Sequence, residues 1–394
     1  MNQPPVEVAD IVRVCGARFI EKSRRWLHWS HVKVLNAIGR CRTAVLGGHR
    51  DQCPKCGHQA ISYNSCRNRH CPKCQTAARD RWVAKRQAEV LPVGYFHVVF
   101  TLPHELSALT LQNKSEIYRL LLQASADTLL EVAANPKHLG AAIGFLSILH
   151  TWGQNLLHHP HVHCLVPAGG ISPDQTRWIH SRPNFLVPIP VLKMVFRAKV
   201  RDGLKRLFRA NKLVFAGQLT ALASRQAFLD FLDPLCEKEW VVYAKAPFRG
   251  PDHLLQYLAR YTHRVAISNH RLIGFDEESV TFCWKDYAHG NKKRKMTIST
   301  DEFLRRFLLH TLPRGFVRIR FFGFLAGPRR AARLQLARQL LGTNPPDAVP
   351  NSIPVRTTFR CPICATPMIV LERLSAERVC RAAALHRDVL YDSS

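Results

Sequence analysis

His161-Val162-His163 sits inside the run from Pro160 to Pro167, which otherwise reads as a buried strand. Side chains alternate along a strand, so His161 and His163 share a face while Val162 points into the core. Two imidazoles on one face can be offered to one metal ion, although an isolated His-x-His is more often a solvated strand face. A second pair of reactive groups lies downstream. Leu254, Leu255 and Leu258 recur at helical spacing, which stacks Tyr257 and Tyr261 on one face of that helix. A tyrosinate can attack a phosphodiester and hold the cleaved strand as a phosphotyrosine, provided a divalent cation polarises the scissile phosphate. Arg264 follows at the end of the same helix, where a guanidinium can clamp phosphate beside the nucleophiles.

Cysteine spacing points to a different chemistry. Cys53-Pro54-Lys55-Cys56 and Cys71-Pro72-Lys73-Cys74 are two Cys-x-x-Cys knuckles separated by a polar loop. Two such pairs complete a tetrahedral zinc shell with no position left for substrate, so the expectation is one closed, structural zinc ribbon held by Cys53, Cys56, Cys71 and Cys74. Cys41, His49, Cys66 and His70 lie just before or between the knuckles and can either exchange into that site or build a second one. Buried packing or DNA-facing polarity is the competing reading of these four. A third knuckle, Cys361-Pro362-Ile363-Cys364, stands in the tail with Cys380 and His386 at looser spacing. Arg67 and Arg69 decorate the ribbon with Lys55 and Lys73, which suits it to holding DNA.

Composition agrees with a polyanionic partner. The chain has 57 Lys and Arg against 28 Asp and Glu over 394 residues, a formal charge of +29. Lys and Arg that neutralise phosphates gain affinity by releasing counterions. A membrane partner fits less well, because the longest apolar run, Leu139 to Leu149, is too short to span a bilayer. The N-terminus shows no secretory pattern, so the 13 cysteines are expected reduced in the cytoplasm, and a bacterial, nucleoid-associated location follows.

The elements that must position these groups are read from periodicity. Residues 6–38 read as amphipathic helices, Arg79 to Glu89 as a basic helical stretch, and Tyr95 to Leu102 as a strand closed by Pro103. His97 or Glu105 could approach the metal from it. Helices are expected from Glu105 to Ala134 and again across Ile143 to His150. Trp178-Ile179 reads as a returning strand. From Val191 to Ala210 comes a helix whose cations, Lys193, Arg197, Lys199, Arg201, Lys205, Arg206 and Arg209, face only Asp202, which suggests a phosphate-tracking face. Val265 to Ile267 and Val280 to Trp284 read as strands joined through a turn around Gly274. Lys292-Lys293-Arg294-Lys295 is expected at a hairpin tip that grips a DNA backbone. A short helix over Asp301 to Leu309, a strand over 316–321, a basic helix over Arg329 to Leu341 and a proline-marked linker complete the chain.

With these residues in view, the sequence resembles the two-tyrosine HUH rolling-circle transposases of the insertion sequence 91 family. His161-Val162-His163 satisfies the His-hydrophobic-His motif. The likeness continues through His49 with the Cys53 to Cys74 cluster, Val99 to Leu106, Trp152-Gly153-Gln154-Asn155, Arg264 to Asn269, and Leu312 to Arg318. The resemblance implies an α+β fold: an HUH endonuclease domain with a central antiparallel sheet flanked by helices, an N-terminal helical and zinc-ribbon domain, and a basic C-terminal extension. Residues 1–90, 91–325 and 326–394 are the expected divisions. A Phe-Thr-Leu strand is implied beside the HUH strand. Gln154, just upstream within a matching stretch, is the first candidate for a third ligand to Mg²⁺ or Mn²⁺, with a loop or capping amide as its alternative; His158 and His159 would orient the site or touch phosphate. The implied activity is metal-dependent nicking of single-stranded DNA at element ends and in target DNA through 5′-phosphotyrosine intermediates, with host replication engaged indirectly. A plasmid or phage replication initiator would use the same groups; a zinc-ribbon regulator without catalysis would not need them intact.

Overall fold

The computed structural model describes residues 6–87, 89–248, 265–286, 290, 292–343 and 359–385. Its centre is a fully antiparallel five-stranded sheet of an α+β fold. In chain order the strands are β3 (Tyr95–Thr101), β4 (Gly144–Trp152), β5 (His158–Pro167), β8 (Val242–Phe248) and β12 (Ile319–Gly323), arranged β12-β4-β5-β3-β8. The HUH strand β5 is therefore central. The Phe-Thr-Leu strand β3 pairs along it, with Thr101 opposite His161 and Val99 opposite His163.

Of the run from Ile143 to His150, expected as helix, residues 144–150 form strand. A short apolar run cannot distinguish the two by periodicity when both sides are covered. All nine residues of β4 are buried, because β12 and β5 flank it and both of its faces are packed.

The sheet's two faces differ. One carries Phe145, Leu149, Val162, Cys164, Val166, Val98, Phe100 and Val242 into the main core under α4 (Ser107–Gln112), α5 (Lys114–Ala134), α6 (Ile189–Arg209) and α7 (Arg225–Glu237). The other is divided along its length. At one end Tyr95, Leu146, Ile148 and Leu165 pack with α3 (Pro72–Gln87), α9 (Arg330–Leu340) and the hairpin β6 (Gly169–Ile171) to β7 (Trp178–His180). At the other end the apolar residues give way to histidines.

A second core joins the N-terminus to a later segment. Helices α1 (Val8–Lys22) and α2 (Trp29–Gly39) pack on a three-stranded sheet of β9 (Leu272–Phe275), β10 (Ser279–Asp286) and β11 (Lys292–Ser299), backed by α8 (Thr300–Leu309). Val8 N–H donates to Asn269 Oδ1 at 3.2 Å, and Lys22 pairs with Asp301 at 3.4 Å. Two expectations change here. Val265 to Ile267 is irregular and buried rather than strand, and Gly274 lies within β9, so the turn falls at residues 276–278. Lys292 to Lys295 form the start of edge strand β11, beside the hairpin end, with all four exposed.

The third sheet is small: β1 (Gly48–Gln52) pairs with β2 (Gln59–Tyr63) on one side and with the tail strand β13 (Ile369–Leu374) on the other, followed by α10 (Ala376–Leu385). The tail thus returns to the N-terminal region instead of extending from the basic helix.

Candidate functional site

Pairing of β4 with β5 sets His150 opposite His161 and Ile148 opposite His163. His150, His161 and His163 therefore share the partly open face, each bringing a ring nitrogen within 4.8 Å of the others. The rings meet edge to face, at 5.5 Å for His150 and His161, 4.4 Å for His150 and His163, and 4.8 Å for His161 and His163. Three converging nitrogens are a donor set that a divalent cation would complete with oxygens. His161 Nδ1 lies 2.7 Å from the carbonyl of His159, which only a protonated Nδ1 can bond, leaving Nε2 as the ligand atom.

His97 supports the triad from β3. Its Nε2 is 2.7 Å from His163 Nδ1, and the two rings stack at 5.0 Å with 8° between planes. Burial first, then Lys245 and His161 nearby, push His97 down to about 4, so it stays neutral and keeps one nitrogen as an acceptor. A neutral His97 that accepts from His163 Nδ1–H fixes the His163 tautomer that leaves Nε2 as the donor atom a metal could use. Glu105, the other expected approach to the metal, pairs instead with Lys238 and His104.

The loop from Gly153 to Leu157 that feeds β5 is held by its carbonyls. Arg271 donates to Gln154 O, Arg306 to Asn155 O at 3.0 Å, and His310 Nε2 lies 3.0 Å from Leu156 O. Leu156 is fully buried at φ 62°, a backbone region costly for a side-chain-bearing residue and tolerated where packing over-determines it. Gln154 thus contributes its backbone to the frame of the site, while the third ring beside the HUH pair is His150. Sequence reading missed His150 because it stood in the run taken as helical. Counted at period two, Ile148, His150 and Trp152 would have fallen on one face. His158 is turned to Tyr118, whose hydroxyl lies 2.8 Å from its Nε2.

The thiols assemble differently from the expected single ribbon. Cys71 and Cys74, at the start of α3, meet Cys41 and Cys66, with Sγ separations of 3.6 Å for Cys41 and Cys74, 3.5 Å for Cys66 and Cys74, and 3.7 Å for Cys71 and Cys41. Cys53 and Cys56 lie in a separate group with Cys361 and Cys364. The knuckles part because β1 and β2 carry the first toward β13 while the second opens a helix whose start meets Cys41, just after α2. His49 stands in β1 opposite Ser62 and Arg373, outside both groups. His70 lines a cavity with Trp152, His310 and Arg318, where burial and then Arg69 and Arg318 push it down to about 3.

The cations expected at DNA divide as well. Arg67 is exposed, whereas Arg69 donates to Phe316 O at 2.8 Å and ties the zinc region to the segment before β12. On α6, Arg197 donates to Lys238 O, Arg201 pairs with Asp202, Lys199 with Glu131 and Lys193 with Glu239, so part of that face is neutralised internally. Lys205 shows no ion pair among the described residues. Lys292, Lys293, Arg294 and Lys295 are all exposed, with Arg294 bound to Asp286 at 3.1 Å. Tyr257, Tyr261 and Arg264 lie outside the described residues. No helix among the described residues is long and apolar enough to cross a membrane.

Residues 144–333 match a family model described as "Putative transposase", and residues 11–102 match the transposase zinc-binding domain of insertion sequence 91. A protein of Sinorhizobium fredii named "Putative transposase y4qJ" is 50% identical over 369 residues, 91% of this chain and 92% of its own. The transposase for insertion sequence element IS801 of Pseudomonas savastanoi pv. phaseolicola is 26% identical over 372 residues, 92% of this chain and 88% of its own. No solved structure matches. With both domains matched in order and half of the residues shared along nearly the whole length, the chain belongs to the transposases of the insertion sequence 91 family.

Proposed function

We propose that this transposase nicks single-stranded DNA and transfers the cleaved strand through covalent tyrosine intermediates, driving rolling-circle transposition of its element. The observation that carries the reading is the convergence of His150, His161 and His163 on one sheet face, buttressed by His97. These rings would hold Mn²⁺ or Mg²⁺, which when bound supplies positive charge to the scissile phosphate; a set of three imidazoles favours Mn²⁺ over the oxygen-seeking Mg²⁺. His150 takes the third ligand position for which Gln154 was the sequence candidate.

Tyr257 or Tyr261 attacks the phosphorus. The bond to the 3′ oxygen breaks, and the products are a 5′-phosphotyrosine and a free 3′-hydroxyl. The second tyrosine can cleave another strand, and attack of a 3′-hydroxyl on a phosphotyrosine reseals DNA and releases the phenol. Support for placing the tyrosines comes from where the chain resumes. Ala266 packs in one core with Trp152, whose indole stacks on His150 at 4.7 Å. Val265 lines the same cavity as Trp152, and the four residue steps from Tyr261 to Val265 span at most about 14 Å.

The test is to incubate the purified protein with labelled single-stranded DNA from its element's ends and Mn²⁺ or Mg²⁺, then map covalent adducts by mass spectrometry. A metal-dependent adduct on Tyr257 or Tyr261, lost in Tyr→Phe variants and in His161→Ala, is the expected result. Tight binding with no adduct under either metal would favour a binding protein without catalysis.

A further inference from the structure

The Cys53 knuckle and the tail knuckle are the same turn built twice. Cys53-Pro54-Lys55-Cys56-Gly57 and Cys361-Pro362-Ile363-Cys364-Ala365 share the pattern Cys-Pro-x-Cys-small. In the first, Gly57 N–H donates to Cys53 O at 3.0 Å and Cys53 N–H to His58 O at 2.8 Å. In the second, Ala365 N–H donates to Cys361 O at 2.8 Å and Cys361 N–H to Thr366 O at 2.9 Å. Gly57 and Ala365 both adopt left-handed backbone, at φ 73° and 56°. In the alanine this conformation costs about 1 kcal/mol or more, so something must hold the turn.

The two turns face each other. Cys53 and Cys364 sulfurs are 3.4 Å apart, Cys56 and Cys361 3.4 Å, and Cys56 and Cys364 3.7 Å. Four thiolates bound at about 2.3 Å in a tetrahedron stand about 3.8 Å from one another, whereas a disulfide would need about 2.0 Å. The apolar support is slight: among the described residues Ala60 and Met368 are buried beside the sulfurs with Phe359 packed against them, and Ile61, Leu374 and Val379 form a second small cluster on the same sheet. A core of this size does not fold a sheet by itself, and a structural metal is the usual remedy.

We propose that Cys53, Cys56, Cys361 and Cys364 bind a second structural zinc, which clasps the C-terminal segment onto the N-terminal zinc-binding domain. The tail knuckle lies beyond both matched family regions, which end at residues 102 and 333. The clasp makes β13 the third strand of the β1–β2 sheet and brings Glu372 to Arg50, so both ends of the chain form one module. Its zinc is the more accessible of the two, because Cys56 is exposed and Cys364 half-buried, while Cys41, Cys71 and Cys74 are buried. The proposal does not depend on the nicking reading.

The test uses the full chain, purified with reductant, and measures zinc per chain by elemental analysis. About two zinc ions are expected, falling by one in Cys361→Ser with Cys364→Ser, with iodoacetamide then reaching Cys53 and Cys56. In a second experiment a protease site is inserted between residues 343 and 359. After cleavage the tail fragment should co-elute with the body in zinc and separate after chelation. A wild type holding one zinc, a double variant with unchanged stoichiometry, or a tail that elutes freely in the presence of zinc would each overturn the clasp.

Discussion

The thiol groups and the histidine group both gather side chains that could hold a metal, and they differ in whether the donor set is complete. Each thiol group closes on itself with four sulfurs brought together from different stretches of the chain: Cys41 after α2, Cys66 in a loop, Cys71 just before α3 and Cys74 within it, or one knuckle from the N-terminal region and one from the tail. A complete shell leaves no place for substrate. The histidine group stops at three and lies where the covering α3, α9 and β6–β7 end. An incomplete shell on a rigid sheet is what a phosphate can enter.

The contrast breaks most visibly if the two kinds of ligand are removed in parallel. Cys71→Ser with Cys74→Ser should lose a zinc and the fold of the N-terminal region, since structural zinc contributes on the order of 10 kcal/mol to domains of this kind. Thermal melts and zinc content would show it. His161→Ala with His163→Ala should melt within a few degrees of the wild type, yet form adducts at least about 10³-fold more slowly. A folded, zinc-replete thiol variant, or an unfolded histidine variant, would erase the distinction.

His97 sharpens the same comparison from inside the site. It touches a proposed ligand rather than the metal, so His97→Ala should raise the Mn²⁺ concentration needed for half-maximal adduct formation by about 10- to 100-fold. At saturating Mn²⁺ most of the rate should return. A loss that no metal concentration repairs would mean that His97 does more than orient His163.

How much of this was legible in sequence follows the range of the interactions. His161 and His163 needed only the period of a strand, which two residues suffice to set. The Phe-Thr-Leu strand beside them came from the family resemblance and is present as β3. His150 was hidden because a run buried on both sides carries no periodic signal. The knuckles were legible as knuckles, but which pairs join was not: Cys53 meets Cys364 across 311 positions, and spacing along the chain says nothing about that. Arg69 and Arg201 are DNA candidates on charge, which is visible in sequence, whereas the internal partners they also hold, Phe316 O and Asp202, are not.

The basic hairpin separates binding from chemistry with a smaller effect. Lys292→Ala, Lys293→Ala and Lys295→Ala together should weaken single-stranded DNA binding without altering zinc content, because all three are exposed on edge strand β11. If each meets one phosphate, the slope of log affinity against log salt should fall by about 0.7 per lysine. An unchanged slope would move the DNA path away from the hairpin and toward the Lys205 face of α6.

The smallest effect concerns the ring that ties the site's loop to its frame. His310 is 4% exposed, with Nε2 3.0 Å from Leu156 O and Nδ1 3.2 Å from Thr151 Oγ1. Burial pushes it down to about 4, outweighing the carbonyl of Leu156, which favours the charged form. Unfolded, the ring titrates near 6.5, so between about 6.5 and 4 the unfolded chain takes up a proton that the folded one refuses. Stability should therefore fall as pH drops through this window, by up to about 1.4 kcal/mol per pH unit for this ring. His97, folded with a similar preference for neutrality, adds to the slope. His310→Gln should flatten the decline of melting temperature between pH 6.5 and 5.5, while above pH 7 the wild type and the variant run parallel. Identical slopes would mean that the ring accepts its proton without leaving the loop, and that Leu156 O alone is enough to keep it seated.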